Sequence, residues 1–296
     1  MIKDLRYYIV TILRIVLDSK VFHFLPDKQF LKIKYRLAMG EKLDINAPKT
    51  FNEKLQWIKL YDRKKIYTQM VDKHESKLYV ESVIGEKYII PTYAIFNNFD
   101  EIVIEDLPEQ FVIKCTHDSG GLAICKDKNS FDFSKAKEKI NKTLNKNYYW
   151  HGREWPYKNV KPRIIVEKYM IDEKLQELRD YKFFCFNGKV KCFKVDFDRF
   201  VGHRANYYDR NKQLMHFGEK VCPPQYDKEI ELPDEIEKMI DLAEILAKNT
   251  LFIRVDFYLV NGSIYFGELT LFPSSGMGPF IPNEWDNILG EWISLV

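Results

Sequence analysis

Apolar positions recur along this chain at two periods, and the order in which the periods alternate sets out the elements. Residues 1–62 read as helical on a basic background. Phe30-Leu31-Lys32-Ile33-Lys34-Tyr35-Arg36-Leu37 is spaced for a helix that Gly40 stops. After a turn at 46–51, Thr50 and Glu53 form a capping-box pattern ahead of Leu55, Trp57, Ile58 and Leu60. A further helix is expected over 67–83, ended by Gly85. The period then shortens: strands are expected at 88–91, 111–115 and 122–125, and a buried one at 163–167. A lysine-rich exposed helix fits 134–146. Asn187-Gly188 turns a hairpin between 181–186 and 189–196. Ile236, Met239, Ile240, Ala243, Leu246 and Ala247 share one face of a helix over 233–249. Hairpins mixed with helices, without repeats or low-complexity linkers, predict an α+β fold.

The last hairpin carries the most chemistry. Arg254 and Asp256 lie on its first strand, Asn261-Gly262 forms its turn, and Glu268 and Thr270 lie on its second strand. Side chains alternate faces along a strand. A strict two-residue turn pairs Val260 with Ser263 and sets Asp256 opposite Gly267, with Glu268 pointing away. One bulge or an odd-length loop puts both acids on one face. Two hard oxygen ligands beside an arginine would then make a divalent-metal site next to an anion site. The other reading is an ordinary surface hairpin.

With 296 residues the chain suits one large domain or two small ones. Its 21 Phe and 18 Tyr are unusually many. A net charge of +3, spread in mixed sign, argues against a nucleic-acid partner, which calls for a concentrated basic face. Cys115, Cys125, Cys185, Cys192 and Cys222 form no Cys-x-x-Cys pair, so they read as core thiols of a reduced, cytoplasmic protein. The apolar stretch 7–17 is too short to span a bilayer and is broken by Arg14. With Lys3, Arg6 and Lys20 beside it, it suits either a peripheral membrane contact or, as preferred here, a helix packed on the domain.

Other candidates are smaller. Lys114 precedes the loop Thr116-His117-Asp118-Ser119-Gly120-Gly121, whose backbone N–H groups can close on phosphates. His117-Asp118 would supply half of a catalytic triad, but no Gly-x-Ser-x-Gly elbow accompanies it, and the histidines read mostly as structural or solvent-facing. Asp196-Phe197-Asp198 is an Asp-x-Asp triplet of the kind that holds a metal in many nucleotide-sugar glycosyltransferases. Ser274-Ser275-Gly276 and His203-Arg204 are candidate acceptor contacts.

Taken in order, these segments resemble the TupA-like ATP-grasp family of bacterial surface-polysaccharide gene clusters. The resemblance covers nearly the whole chain. Pro48-Lys-Thr-Phe-Asn-Glu-Lys-Leu-Gln-Trp57 and Leu60-Tyr61-Asp62 are similar to that family's opening segment. Asp72-Lys73 with Lys77, Gly85, Ile90 and Pro91 follows, then Phe111-Val-Ile-Lys114 with its Ser119-Gly120-Gly121 flap. Ile165-Val166-Glu167-Lys168-Tyr169-Met170 resembles the hinge.

The resemblance implies an ATP-grasp fold of two α+β subdomains clasping ATP over 63–296, with a flap at about 106–165 and a helical extension at 1–62. It implies that Lys73, Lys114, Lys182 and Lys194 meet the nucleotide's phosphates, that Glu167, Lys168 and Met170 hold the adenine, and that Asp180 holds the ribose. It implies Mg²⁺ on Asp256 and Glu268, with Thr270 standing where the general pattern has asparagine. Arg254 and Lys114 would then serve the reacting centre. The implied reaction is ATP- and Mg²⁺-dependent ligation of a carboxylate to an amine through an acyl phosphate. The carboxylate would be a small molecule or sugar nucleotide, such as a uronic acid of a capsule or cell-wall glycan. The alternatives are a glycosyltransferase using Asp196 and Asp198, and a non-catalytic scaffold.

Overall fold

The computed structural model describes residues 2–174, 177–198 and 202–295. The side chains of Lys3, Arg6 and the rest of 1–9 lie outside the described set. The helical opening runs through α1 (Ile2–Leu17), α2 (Asp27–Met39) and α3 (Phe51–Tyr61). Gly40 ends α2 at φ 80°. The capping box at Thr50 forms as expected: Thr50 accepts from the Glu53 N–H, and Glu53 reaches back to the Thr50 N–H. α3 is no appendage, because Phe51, Leu55 and Ile58 enter the main core.

Residues 67–83 do not make one helix. They split into α4 (Ile66–Val71) and α5 (Glu75–Ile84). Asp72 causes the break, its Oδ1 accepting from the N–H groups of His74 and Glu75 at 2.8 and 3.1 Å and so capping α5. The Lys73 N–H turns out of the helix to donate to the Thr116 carbonyl at 2.9 Å. Nor is 88–91 a strand; a 3-10 turn covers Glu86–Tyr88, and the strand β1 is Thr92–Phe96.

Two sheets follow. The first has the order β1-β4-β2-β3, from β1, β2 (Phe111–Cys115), β3 (Leu122–Cys125) and β4 (Ile164–Lys168). With α6 (Phe133–Leu144) it closes its own core around Phe99, Phe111, Ile113, Ile140, Ile164 and Val166. This layer reaches from Thr92 to Lys168, wider at both ends than 106–165. α7 (Tyr149–Gly152) lies on the crossover into β4.

The second sheet has the order β11-β10-β5-β6-β7-β8. Its strands are β5 (Asp180–Phe186), β6 (Lys189–Phe197), β7 (Arg204–Asp209), β8 (Leu214–Met215), β10 (Phe252–Val260) and β11 (Ser263–Thr270). β9 (Gly218–Glu219) pairs with β12 (Phe280–Ile281), and α9 (Trp285–Glu291) closes the chain onto α3. One face of the six-stranded sheet is apolar: Phe183, Val195, Val255 and Phe257 join α8 (Ile236–Leu246) in the main core. The other face is polar, because alternate residues of the same strands are charged. Apolar side chains of Ile90, Met170, Val260 and Leu178 gather where the two sheets meet.

Both hairpin turns have their two central residues at positive φ: Asn187 and Gly188 at 47° and 79°, Asn261 and Gly262 at 50° and 75°. That backbone matches the right-handed twist of the strands and explains the Asn-Gly pairs. All five cysteines are buried and free.

Candidate active site

The turn at Asn261-Gly262 is regular and the strand above it is not. Val260 pairs with Ser263 and Phe257 with Phe266, then the register slips and Asp256 pairs with Glu268. The extra residue is Gly267. A side chain there would place Cβ 3.1 Å from the Asp256 carbonyl and from the Tyr258 ring, so glycine lets the bulge form. Of the two registers considered from sequence, the bulged one is present, and both acids share a face.

That pair heads a cross-strand row. Glu268, Asp256, Lys182, Lys194 and Tyr207 lie opposite one another across five strands. Lys182 is nearly buried and touches three carboxylates: Asp180 at 3.0 Å, Asp256 at 3.1 Å and Asp196 at 3.6 Å. Burial alone would lower its pKa, but Asp180, Asp256 and Asp196 outweigh it and raise it. Lys194 pairs with Glu219 at 2.5 Å. Arg254 donates from Nε and Nη2 to the two Asp256 oxygens at 2.7 Å each, and from Nη2 to Glu268 at 2.7 Å and Thr270 at 3.0 Å. Burial would raise the Asp256 pKa; Arg254 and Lys182 bring it below the ordinary aspartate value.

At the junction of the sheets, Glu167 lies between Lys114 at 2.6 Å and Lys77. Burial opposes its charge, yet Lys114 and Lys77 take its pKa down to about 2. Lys77 also donates to the Ile90 carbonyl and the Thr92 hydroxyl, both at 2.8 Å. Sequence reading placed Lys77 in a family motif without this role. Met170 is buried in the apolar cluster beside this triad, whereas the Lys168 side chain lines a separate groove with Tyr93 and Lys126.

The flap loop is tied by Asp118, which accepts from the Gly121 N–H at 2.8 Å. Gly120 is open, while a Cβ at Gly121 would lie 2.7 Å from the Cys115 sulfur. The Lys73 ammonium donates to the Asp118 carbonyl. A cleft of about 400 Å³ separates this loop from the bulged hairpin. Lys73 and Ser119 line one side; Arg254, Glu268 and Thr270 line another; Ser274, Ser275 and Glu154 close its end.

The chain belongs to the TupA-like ATP-grasp family. The sequence profile described as TupA-like ATPgrasp matches residues 53–294. No curated protein matches the chain. Among solved structures it is similar to a D-alanine–D-alanine ligase from Helicobacter pylori, at 13% identity and TM-score 0.44, over 84% of this chain and 70% of that one. It is similar to a RimK domain ATP-grasp protein from Sphaerobacter thermophilus, at 10% identity and TM-score 0.42, over 77% and 69%. It is also similar to a D-alanine–D-alanine ligase from Bacillus anthracis complexed with ATP, at 17% identity and TM-score 0.38, over 69% and 54%. These are likenesses of fold, and the chain spans about half of the last protein's length.

By family the chain is an ATP-grasp protein, and ATP and Mg²⁺ are the cofactors that the family implies. The donor set fits the metal. Oxygens of Asp256, Glu268 and Thr270 converge on one nitrogen, Arg254 Nη2, so these three would hold a small cation, with Asp256 already ionised.

Three sequence expectations fall away. Asp196 and Asp198 do not converge: Asp196 faces Lys182, Lys194 and His203, while Asp198 pairs with Lys228 at 2.5 Å from a backbone at φ 54°. That removes the geometry a glycosyltransferase metal triplet needs. His117 is buried, with Nε2 facing the carbonyls of Thr143 and Lys146 at 3.3 and 3.1 Å and Nδ1 without a hydrogen-bond partner among the described residues, so no nucleophile is paired with it as a triad needs. His203 lies 3.3 Å from Asp196, and neither it nor Arg204 lines the cleft. Tyr148, Glu154 and Tyr157 were missed altogether, although they line it. Their one signal in the sequence is a pair of charged residues, Arg153-Glu154, inside an aromatic run.

Proposed function

We propose that this chain joins a carboxylate to an amine, at the expense of ATP, through an acyl phosphate. We further propose that the carboxylate is a uronic acid, free or carried on a sugar nucleotide, and that the product serves capsule or cell-wall polysaccharide biosynthesis. The observation that carries the reading is the bulged hairpin, which sets Glu268 and Arg254 on the cleft that the flap loop borders, with Asp256 buried behind them against Arg254.

Phosphoryl transfer needs positioning and neutralisation of charge far more than covalent help. When bound at Asp256 and Glu268, Mg²⁺ supplies charge neutralisation on the phosphates. Arg254 offers a fixed cation to the oxygens that gain charge, and Lys73 offers a second from the opposite wall. Lys114 and Lys77, held by Glu167, carry positive charge to the sheet junction where we place the nucleotide. Asp180, Lys182 and Lys194 extend the polar row toward its ribose and phosphates. The Ser119-Gly120-Gly121 loop stands over the cleft, where closure excludes the water that would hydrolyse an acyl phosphate.

The test uses ATP, Mg²⁺, hydroxylamine and a panel of uronic acids and sugar-nucleotide uronates, with ADP and hydroxamate measured together. ADP and hydroxamate in equal amounts with one acid are expected. No ATP turnover, with UDP or GDP released from a sugar nucleotide, would sink the ligase reading.

We also propose that the chain works in the cytoplasm against the inner membrane surface. No helix among the described residues is long and apolar enough to cross a membrane. Ile12, Ile15, Val21 and Phe24 are nonetheless 58%, 66%, 72% and 76% exposed, beside Arg14 and Lys20. Apolar side chains among cations suit the surface of an anionic bilayer. Co-sedimentation with phosphatidylglycerol vesicles, lost in an Ile15→Asp/Phe24→Asp variant and absent with phosphatidylcholine, is the expected result. Equal binding by the wild type and the variant would refute it.

A further inference from the structure

The end of the cleft holds a group that the ATP half of the reaction does not use. Arg153 takes a left-handed backbone, φ 52°, and sends its guanidinium away between the Phe30 and Trp150 rings. Glu154 is thereby directed into the cleft. It is only 4% exposed, and its Oε1 has no hydrogen-bond partner among the described residues.

Its surroundings are built. Ser274 and Ser275 adopt left-handed backbones at φ 49° and 55°, a strained pair for residues other than glycine. α3 pins that turn: Gln56 donates to the carbonyls of Ser275 and Gly276 at 3.1 and 2.6 Å, and Lys59 donates to the Ser275 carbonyl at 2.7 Å. The fully buried Lys59 also donates to Ser275 Oγ at 2.9 Å, which leaves the hydroxyl hydrogen for Glu154. Space is tight enough that a Cβ on Gly152 would fall 2.0 Å from Ser275 Oγ. The result is a relay, Lys59 to Ser275 to Glu154, that holds one carboxylate oxygen and leaves the other, Oε1, buried and unpartnered on a residue that lines the cleft.

We propose that Glu154, steadied by Ser275 and Lys59, is the subsite for the incoming amine and accepts its proton. The chemistry recognised is a primary ammonium group. An unpartnered, desolvated carboxylate oxygen demands a cationic donor, and an alkylammonium supplies one. Burial raises the Glu154 pKa against the opposing pull of Lys59 and Ser275, which suits a proton acceptor. The ammonium gives one proton to Oε1, and its freed lone pair attacks the carbonyl carbon of the acyl phosphate. The C–N bond forms, the C–O bond to phosphate breaks, and phosphate leaves with the electron pair and takes the second N–H proton.

This inference rests on the ligase reading, and the two can fail separately. Hydroxylamine is neutral at pH 7 and needs no such acceptor, so it reports acyl-phosphate formation. Glycine and ethanolamine enter as ammonium ions and report the subsite. Wild type, Glu154→Gln and Ser275→Ala are compared with ATP, Mg²⁺ and the uronate that supports hydroxamate formation. The expected result is that Glu154→Gln lowers amide formation by roughly 10²–10⁴-fold, the range for a general base, and lowers hydroxamate far less. Ser275→Ala falls between it and wild type. Equal loss of amide and hydroxamate in both variants, or no loss in either, overturns the subsite alone. A wild-type protein that forms no hydroxamate with any acid overturns the ligase reading and the subsite with it.

Discussion

Glu268→Gln is expected to abolish most ATP-dependent hydroxamate formation while leaving the fold close to its original stability. The expected fall in rate is roughly 10²–10³-fold, the range for removing one preorganised electrostatic contact from a transfer site. The Glu268 side chain is 48% exposed, and among the described residues it pairs with Arg254. Half-exposed pairs contribute about 0–1 kcal/mol, so unfolding should shift by a few degrees at most. Asp256 is the opposite case: it is buried, and Arg254 and Lys182 both depend on it. Asp256→Asn would confuse lost chemistry with lost folding, and Glu268→Gln separates them. The assay is hydroxamate yield across a Mg²⁺ titration, beside thermal unfolding. Activity within a few-fold of wild type, at every Mg²⁺ concentration, would remove Glu268 from the metal site and leave the hairpin as decoration.

How much of this could be read from the chain depends on how local each feature is. The two acids were legible because a two-residue Asn-Gly turn and strict alternation leave one question, whether the register slips. Gly267 favours the slip, since a Cβ there would press at 3.1 Å on the Asp256 carbonyl and the Tyr258 ring. Capping at Thr50 and the stop at Gly40 were legible for the same reason, as both are settled within a few residues. The break at Asp72 was not. Its apolar neighbours keep helical spacing, and the local cap at Asp72 acts together with a distant acceptor, the Thr116 carbonyl, which takes the Lys73 N–H. Residues 88–91 read as a strand because they are β-branched and aromatic, but the Ile90 carbonyl is taken by Lys77. Glu154 was the least legible, for its burial is imposed by Ser275, 121 positions away, and by α3.

Lys182→Met is expected to lower stability by about 3–5 kcal/mol at neutral pH, the range for removing one partner from a buried charge cluster. At about 2–4 °C per kcal/mol for a domain of this size, that is on the order of 10 °C in melting temperature. Methionine keeps the length and the apolar stem, so the loss is electrostatic. Without the ammonium, Asp180, Asp256 and Asp196 lose the cation they share, and Arg254 beside Asp256 and Lys194 and His203 beside Asp196 do not replace it at the centre of the row. The sign of the pH dependence follows from the carboxylates. Burial alone would raise the Asp196 pKa, but Lys194 and Lys182 hold it at about 2, and Asp256 is likewise depressed. Their contribution in the wild type is complete above the unfolded value, about 3.9, and is lost as pH falls toward 2. In Lys182→Met the folded-state values rise, so protonation relieves the repulsion, and acid favours the variant relative to wild type. The stability gap should be widest near pH 7 and narrower at pH 5, measured by urea unfolding at each. A gap that stays constant, or widens in acid, would mean that Lys182 supports the sheet by packing and that the row does not rely on its charge.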